Sequence, residues 1–328
     1  MDLIGRPRAN VAAMPRYRPG KSAAQAEAEH DLSSAVKLAS NEHPFPPDPR
    51  LVEAVAASAA GSNRYADHLA TELRHALAAH VGVDVERVTV GNGSVGLLQQ
   101  LCLAYVDPGD DVVYPWRSFE VYPVFTQLMG GRSVQVPLAH DLGHDLDAVA
   151  AAVTPDTKLV FLATPNNPTG VATSVDDLAT MLSKVPDDVI VCIDEAYREF
   201  VDPRFGDPVT ELVPRFPNVV VTRTFSKAFA LAGVRIGYGI GHPSVVAMLD
   251  AVQMPFAVSA PAQAVGLAAL DHRDSLLATI PAWIAERDRV VAELRGDGWS
   301  IPDVQGNFVW LPTGDASAEV ALALEQRG

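Results

Sequence analysis

Seven short apolar runs alternate with longer amphipathic segments between about residue 86 and residue 241. This alternation predicts a mostly parallel β-sheet whose strands are joined by helices that cover its faces. Most of the runs are continuously apolar, as strands buried on both faces are. The predicted strands are 87–90, 111–114, 133–136, 159–163, 189–193, 219–223 and 236–240.

The chain has 328 residues, a length that favours about two domains. Helix patterns at 95–106, 118–129, 146–153 and 175–185 join the predicted strands, and several begin at Ser, Thr or Asp caps. After the sheet come mainly helices, including a long one at 273–298, with a strand expected at 307–312 and a last helix after it. We expect an N-terminal arm with part of a small domain at 1–47, a large domain at 48–255 and a small C-terminal domain at 256–328.

The charge balance limits the partners of the chain. Lys and Arg number 25 against 40 Asp and Glu, so the formal net charge is −15. This charge disfavours nucleic acids and anionic membrane surfaces as partners. No apolar run approaches the roughly 20 residues of a membrane span, and a cytoplasmic protein is expected. Cys102 and Cys192 lie in apolar runs and are predicted to be reduced core thiols.

A glycine-rich loop follows the first predicted strand. Residues 91–96 read Gly-Asn-Gly-Ser-Val-Gly and precede a predicted helix, which is the context of a dinucleotide-binding fingerprint. That interpretation also requires an acidic residue about 20 positions on, at the end of the next strand, where this chain has Pro115 and Trp116. Free amides at the helix N-terminus could still bind another phosphate, and a purely structural tight turn remains the alternative.

Polar segments adjoin other strands of the predicted sheet. Residues 164–170 read Thr-Pro-Asn-Asn-Pro-Thr-Gly, residues 193–197 read Ile-Asp-Glu-Ala-Tyr, and residues 224–227 read Thr-Phe-Ser-Lys; Arg235 is the fourth element of the set. We interpret all four as following strands. Since the carboxyl ends of parallel strands share one edge, Gly93, Asn167, Asp194 and Lys227 should converge in one crevice.

Pyridoxal 5'-phosphate needs a lysine to link to, an acid on its ring nitrogen and an anchor for its phosphate. The predicted crevice would offer these groups together with an amide and a phenol, so it suits this cofactor. In the order and spacing of these motifs, the chain resembles the fold-type I pyridoxal-phosphate aminotransferases, and within them the histidinol-phosphate and aromatic-amino-acid branch. The resemblance implies a large domain with a seven-stranded, mostly parallel sheet between helices, a smaller α/β domain, amino-acid and 2-oxo-acid substrates and a homodimer with shared sites.

The resemblance also implies a role for each matching residue. Lys227 is similar to the lysine that links to the cofactor and acts as base, and Asp194 to the acid on the ring nitrogen. Tyr197 and Asn167 match the groups that bind the 3' oxygen, and Phe119 matches the aromatic ring that stacks on the cofactor. The phosphate would be held by Arg235, Thr224, Ser226, Ser94 and the amides of Gly93 to Val95, with Tyr65 reaching the phosphate of a neighbouring subunit.

The substrate remains open between two candidates. The segments 116–123 and 307–312 look more like the aromatic-amino-acid aminotransferases, acting with 2-oxoglutarate, than like the histidinol-phosphate aminotransferases. A threonine-phosphate decarboxylase is a more distant alternative. No metal site is expected at His140 and His144, and Tyr122 is predicted to pack in the core. The small domain is expected to be truncated before the arginine that in the family grips the substrate carboxylate, unless another arginine of the chain takes that role.

Overall fold

The computed structural model describes residues 5–14 and 20–328. All seven predicted strands are present and form a single sheet. Each observed strand overlaps its predicted range and differs from it by at most two residues at either end. The strands are β1 Val88–Gly91, β2 Asp111–Trp116, β3 Arg132–Pro137, β4 Thr157–Ala163, β5 Ile190–Asp194, β6 Val219–Thr224 and β7 Gly237–Gly241.

The helices cover the sheet and extend beyond it. Two begin at caps read in the sequence, since Ser174 accepts a hydrogen bond from the Asp177 amide and Asp145 accepts one from the Ala148 amide. The helices are α1 Ala9–Ala12, α2 Ala23–His30, α3 Pro49–Ala59, α4 Thr71–Val81, α5 Gly93–Tyr105, α6 Val121–Met129, α7 Leu146–Ala151, α8 Val175–Leu182, α9 Pro208–Glu211, α10 Pro243–Val252, α11 Ala260–Asp271, α12 Arg273–Leu277, α13 Ile280–Gly296 and α14 Ser317–Glu325.

The strands follow the order β1-β7-β6-β5-β4-β2-β3 across the sheet. Strand β7 runs antiparallel to both of its neighbours, and the remaining pairs are parallel. The interpretation that Arg235 follows a strand is therefore wrong, because Arg235 comes just before β7. Since β7 is reversed, its beginning lies at the edge where the other strands end, and Arg235 reaches the predicted crevice from there.

Six of the seven strands are buried on both faces, whereas most of the edge strand β3 is exposed. In β4, Val160 and Leu162 belong to one apolar cluster, whereas Leu159 and Phe161 belong to the other. Helices α4, α8 and α11 cover the first face, and α5, α6 and α10 cover the second. This double cover explains the continuously apolar strands. Cys102 and Cys192 are free, buried thiols of the second cluster, as predicted.

Charged side chains are buried where β5 and β6 end. Arg223 donates from Nε to Glu195 Oε2 at 2.8 Å and from Nη2 to Asp207 Oδ1 at 2.6 Å. Arg198 Nη1 lies 3.5 Å from Glu195 Oε1. Arg223 and Glu195 are 6% and 2% exposed, so each depends on the other for compensation of its charge. The pair connects the end of β5, which carries Asp194, to the end of β6, which precedes Lys227.

We expect Arg223→Met to lower the free energy of unfolding by about 3–5 kcal/mol, because Glu195 would keep a buried charge without its partner. Urea unfolding followed by circular dichroism measures the change. The control is Arg289→Met, since Arg289 lies on the surface with Glu286 and Glu293 and should leave the urea midpoint unchanged. Equal shifts in the two variants would contradict the structural role of Arg223.

All five predicted helices are present with altered bounds, and two of the differences have a clear local cause. The helix expected at 273–298 is divided into α12 and α13, with Pro281 in the first turn of α13. Proline lacks an amide hydrogen and clashes with the carbonyl group four residues earlier, so one helix cannot continue through it. The helix expected from residue 118 begins at Val121 instead, because the Ser118 side chain bonds Asn166 rather than capping a helix.

The predicted strand at 307–312 is wrong. The structure gives this segment no strand, and none of the seven strands pairs with it. An extended segment forms a strand only when a neighbouring backbone completes the hydrogen-bond ladder. Here Asn307 Nδ2 donates to the Asn41 carbonyl at 3.2 Å, and the Phe308 ring lies 4.9 Å from that of Tyr197.

Among the residues that the structure describes, no helix is long and apolar enough to span a bilayer.

Candidate active site

A cavity of about 720 Å³ opens at the edge where β1, β4, β5 and β6 end. Ten of the twelve predicted site residues line it. Gly93 lies directly beside this cavity, and Tyr65 lies outside it. The ten are Ser94, Val95, Phe119, Asn167, Asp194, Tyr197, Thr224, Ser226, Lys227 and Arg235. Nine of them lie at or after the ends of β1, β2, β4, β5 and β6, and Arg235 precedes the reversed strand β7, so the sheet topology brings all ten to one edge.

Asp194 is the last residue of β5, and its carboxylate is held on both oxygens. Thr222 Oγ1 donates to Oδ1 at 3.1 Å, and Tyr122 Oη donates to Oδ2 at 3.2 Å. Burial raises the pKa of the Asp194 carboxyl to about 6, while the two hydroxyl groups act in the opposite direction. A cationic partner facing this carboxylate would act in the same direction as the two hydroxyl groups and favour its ionised form.

Tyr122 combines core packing with a polar contact. Its ring is fully buried and stacks on Phe161 at 4.6 Å, in agreement with the predicted core position. Its hydroxyl group nevertheless reaches Asp194, a contact that the analysis of the sequence missed. The residue type could have indicated this contact, because a tyrosine buried among apolar side chains usually has a partner for its hydroxyl group.

Lys227 lies in the short turn after β6, and its amine is partly removed from solvent. Nζ donates to the Ser40 carbonyl at 2.8 Å and lies 5.5 Å from the centre of the Tyr197 ring. Burial lowers the pKa of the Lys227 amine to about 8; nearby Glu42 opposes this shift and Arg235 adds to it. The amine is therefore far closer to its nucleophilic, neutral form near neutral pH than an ordinary lysine.

The Tyr197 hydroxyl group is held by two amides. Asn41 Nδ2 donates to Tyr197 Oη at 3.0 Å, and Asn167 Nδ2 donates to it at 3.4 Å. Both bonds use lone pairs of the oxygen, so its hydrogen is free to donate into the cavity. Burial raises the pKa of the Tyr197 hydroxyl to about 12, which keeps it protonated. No local sequence motif indicated that Asn41 contacts Tyr197.

A cradle for an anion lies between the start of α5 and the start of β7. Arg235 Nη1 donates to the Ala232 carbonyl at 2.8 Å, and Nη2 donates to the Asn92 carbonyl at 3.3 Å. Thr224 Oγ1 donates to Ser226 Oγ at 2.8 Å beside it. Ser94 adds a buried hydroxyl group within the first turn of the 13-residue helix α5. Helix-end amides, hydroxyl groups and a guanidinium together suit a phosphate group.

Two glycines allow this cradle to be narrow. Gly93 has φ +69°, and a Cβ atom there would lie 2.5 Å from Arg235 Nη2. A Cβ atom on Gly237 would lie 2.5 Å from the Ser94 amide nitrogen. A side chain at either position would displace the groups of the cradle. Gly93 of the 91–96 loop is thus required both by the close approach of Arg235 and by its positive φ angle.

The loop that carries Phe119 is anchored by Asn166. Asn166 Oδ1 accepts from Ser118 Oγ at 2.7 Å, and Nδ2 donates to the Arg117 carbonyl at 3.1 Å. Asn166 is fully buried and also bonds Thr169 Oγ1 at 3.1 Å. Phe119 therefore lines the cavity from a backbone held in place by the neighbouring strand end. Asn167 was predicted as a site residue, whereas the anchoring role of Asn166 was not predicted.

Tyr65 lies outside the cavity of its own chain. Its side chain is 83% exposed and stacks on Phe256 with ring centres 4.5 Å apart. Among the described residues it contributes nothing to the cradle at Arg235. The predicted role of Tyr65 toward a neighbouring subunit stays a prediction.

Comparison with known proteins shows the family to which the chain belongs. The family profile of aminotransferase class I and II matches residues 33–327. An aromatic amino acid aminotransferase from Streptomyces avermitilis is 48% identical over 322 residues, which cover 98% of this chain and 88% of the relative. The aromatic amino acid aminotransferase of Thermobifida fusca is 47% identical, with the same shares of the two chains covered.

Solved structures have the same architecture. The histidinol-phosphate aminotransferase from Sinorhizobium meliloti, in complex with pyridoxal-5'-phosphate, superposes with a TM-score of 0.88 at 29% identity, covering 97% of this chain and 85% of that one. A variant of the Thermus thermophilus aspartate aminotransferase gives a TM-score of 0.81 at 25% identity, covering 96% and 87%. The extent of the family match and the identity to the curated relatives establish that this chain belongs to the class I and II aminotransferases.

Proposed function

We propose that the chain binds pyridoxal 5'-phosphate and transfers the amino group of an aromatic L-amino acid to 2-oxoglutarate. One observation carries the proposal: Asp194 and Lys227 face the same cavity, next to a cradle suited to a phosphate. Relatives named as aromatic amino acid aminotransferases, 44–48% identical over nearly the whole chain, support the substrate class.

The residues present fit the cofactor group by group. Arg235, Ser226, Thr224 and the start of α5 match its phosphate, and Asp194 matches its ring nitrogen. Tyr197 and Asn167 match its 3' oxygen, and Phe119 offers a ring to stack on it. When bound, the cofactor supplies a carbonyl carbon that links to amines and a ring that withdraws electrons from the substrate. Asp194 would keep the ring nitrogen protonated, because its buried carboxylate stabilises a positive charge beside it.

Lys227 has two roles in this proposal. Its amine would hold the bound cofactor and would carry a proton from the substrate Cα. A base is most effective when its pKa lies near the working pH, and a pKa of about 8 meets this condition. Tyr197 donates its free hydrogen toward the 3' oxygen, and the two amides at Asn41 and Asn167 hold its hydroxyl group in position.

Aromatic side chains near the cavity favour an aromatic substrate. Phe119 and Trp310 line it, and the Phe308 ring packs against Tyr197, which also lines it. Histidinol phosphate is the second candidate, favoured by the similarity to the Sinorhizobium meliloti enzyme. The relatives with the higher sequence identity favour the aromatic candidate.

A homodimer with shared sites forms part of the proposal. Tyr65 is 83% exposed, lies outside the cavity of its own chain and stacks on Phe256. An exposed aromatic pair of this kind is suited to a subunit interface. We propose that Tyr65 contacts the phosphate bound by the second subunit. We also propose that the enzyme acts in the cytoplasm.

The low pKa of Lys227 predicts how cofactor attachment depends on pH. Only the neutral amine forms the link, so the attachment rate should rise up to a pH of about 8 and level off above it. Stopped-flow absorbance after mixing the cofactor-free protein with pyridoxal phosphate measures the rate. Free Nα-acetyl-lysine is the control, because its amine should continue to gain reactivity to about pH 10. The same profile for protein and control would contradict the lowered pKa.

The visible absorption band of the bound cofactor tests the proposed function. The protein is loaded with pyridoxal phosphate, and excess L-phenylalanine or histidinol phosphate is added in separate cuvettes without any oxo acid. Loss of the band with phenylalanine is the expected result, because the first half-reaction removes the link to Lys227. The band should return when 2-oxoglutarate is added after removal of the amino acid.

The other outcomes contradict defined parts of the proposal. Loss of the band with histidinol phosphate alone would assign the protein to the second candidate. A band that neither compound removes would reject both substrates. A protein that gives no band after loading would reject the cofactor.

A further inference from the structure

A cavity of about 500 Å³, here termed the α13 cavity, lies apart from the candidate active site. Helix α13 forms one wall, and the segments 200–204 and 303–305 form the other. The α13 cavity shares no lining residue with the cavity that Asp194 and Lys227 line. Its volume falls within the roughly 300–1,000 Å³ that is typical of small-molecule sites. The roles argued above for the active-site residues therefore do not account for it.

Arg287 is a buried cation of the α13 cavity with unused hydrogen-bond donors. Its side chain is only 9% exposed. Nε donates to Asp288 at 2.9 Å, and Nη1 donates to the carbonyls of Phe200 at 3.2 Å and Gly306 at 3.4 Å. A guanidinium has five N–H groups, and these contacts use three of them. Nη2 has no partner in the part of the chain that the structure describes, so both of its hydrogens remain available.

Arg295 lies about two turns further along α13 and also lines the cavity. Its Nε and Nη2 donate to the carbonyls of Ile301 at 3.0 Å and Pro302 at 2.7 Å. Within the described ranges, 5–14 and 20–328, no carboxylate forms an ion pair with Arg295. An anion in the cavity would therefore meet two guanidinium groups with unused donors, which bond carboxylates well.

The acidic residues that line the cavity already have partners. Asp303 Oδ2 lies 2.6 Å from Arg204 Nη2, and Asp288 pairs with Arg287. Asp202 Oδ1 accepts from the Arg204 amide at 2.9 Å. These three carboxylates would repel a second negative charge on a ligand. The charges of the cavity therefore favour a ligand with a single negative charge.

Apolar side chains form the rest of the α13 cavity. Phe200 and Val304 are 1% and 4% exposed, and Ile284, Val291 and Ala292 line the cavity from α13. An apolar group placed against these side chains would be removed from water, which favours binding. Apolar walls with a few placed donors are the usual composition of a site for a small organic molecule.

We propose that the α13 cavity binds an organic monocarboxylate with an apolar body. The carboxylate accepts from Arg287 Nη2, and the apolar body lies against Phe200 and Val291. Because the α13 cavity and the active site share no lining residue, both can be occupied at the same time. This inference goes beyond the proposed transamination and does not depend on it.

Calorimetric titration of the cofactor-loaded protein with 3-phenylpropanoate tests the site. Excess 2-oxoglutarate is present to fill the catalytic cavity, and it cannot react while the cofactor carries no amino group. Saturable binding of the probe is the expected result. The uncharged 3-phenylpropanamide has the same apolar body and should bind at least about 10-fold more weakly. Absence of saturable binding, or equal affinity for the two compounds, would overturn the inference.

Ala292→Trp tests the location without removing a hydrogen bond. Ala292 is exposed on α13 and lines the cavity, so an indole ring there would occupy the space of the ligand. This variant should bind the probe at least about 10-fold more weakly. The matched control is Ala285→Trp, because Ala285 is exposed on the same helix outside the cavity and should keep the wild-type affinity. Equal affinities in the two variants would overturn the proposed location.

Arg287→Gln tests the charge. Loss of the charge-assisted bond should weaken binding of the probe by about 10–100-fold. Arg289→Gln is the control, since Arg289 pairs with Glu286 and Glu293 on the surface of α13 and its loss should not change the affinity. Unchanged affinity in a folded Arg287→Gln variant would contradict the proposal. If Arg287→Gln does not fold, Ala292→Trp and the comparison of the acid with the amide decide the question.

Discussion

Lys227→Ala should lower turnover by at least about 10³-fold. Loss of the amine removes both the anchor of the cofactor and the group that carries the substrate proton, and general acid-base catalysis alone contributes about 10²–10⁴-fold. The fold should persist, because the side chain makes one hydrogen bond, to the Ser40 carbonyl, and its partial burial disfavours the charged form. Turnover with L-phenylalanine and 2-oxoglutarate measures the effect, and thermal unfolding checks the fold.

Lys184→Ala is the control for this prediction. Lys184 is a lysine of the surface, paired with Asp147 at 2.6 Å and distant from the cavity, and its loss should leave turnover at the wild-type rate. Wild-type turnover by the purified Lys227→Ala variant would reject the assignment of the cavity as the active site. A loss of turnover accompanied by unfolding would reject the expectation that Lys227 is dispensable for the fold.

Asp194→Asn should lower turnover by about 10²–10³-fold. The amide has nearly the same shape as the carboxylate but carries no charge, so it cannot keep a ring nitrogen protonated in this buried position. The variant should still fold, since the Thr222 and Tyr122 hydroxyl groups can bond an amide as well as a carboxylate. The measurement is turnover, with the position of the cofactor absorption band as a second readout.

Asp250→Asn is the matched control. Asp250 accepts from Arg74 Nη1 at 2.8 Å and from Thr89 Oγ1 at 2.7 Å, so it is held on both carboxylate oxygens as Asp194 is, but it lies away from the cavity. It should lower the stability without a selective loss of turnover. If both variants lost turnover to the same small extent, the charge of Asp194 would have no special role in the reaction.

Both predictions depend on features that are local in the sequence. A strand buried on two faces is recognisable as a continuous apolar run, because every side chain in it needs an apolar neighbour. The sequence therefore located all seven strands, from Val88–Gly91 to Gly237–Gly241. Since most strands run parallel, the polar residues that follow them had to lie at one edge. Asp194 and Lys227 were predicted to meet on this basis, and in the structure both line the same cavity.

Contacts between distant segments were decided by the tertiary structure alone. The reversed direction of β7 brings Arg235 to the cradle from the start of a strand, and the α6 helix brings Tyr122 Oη to Asp194 across 72 positions of the sequence. Asn41 reaches Tyr197 across 156 positions. The segment 307–312 has strand-like residues but no strand beside it. Apolar patterns and turn residues act within a few positions along the chain, whereas these contacts depend on how the completed sheet and its helices pack together.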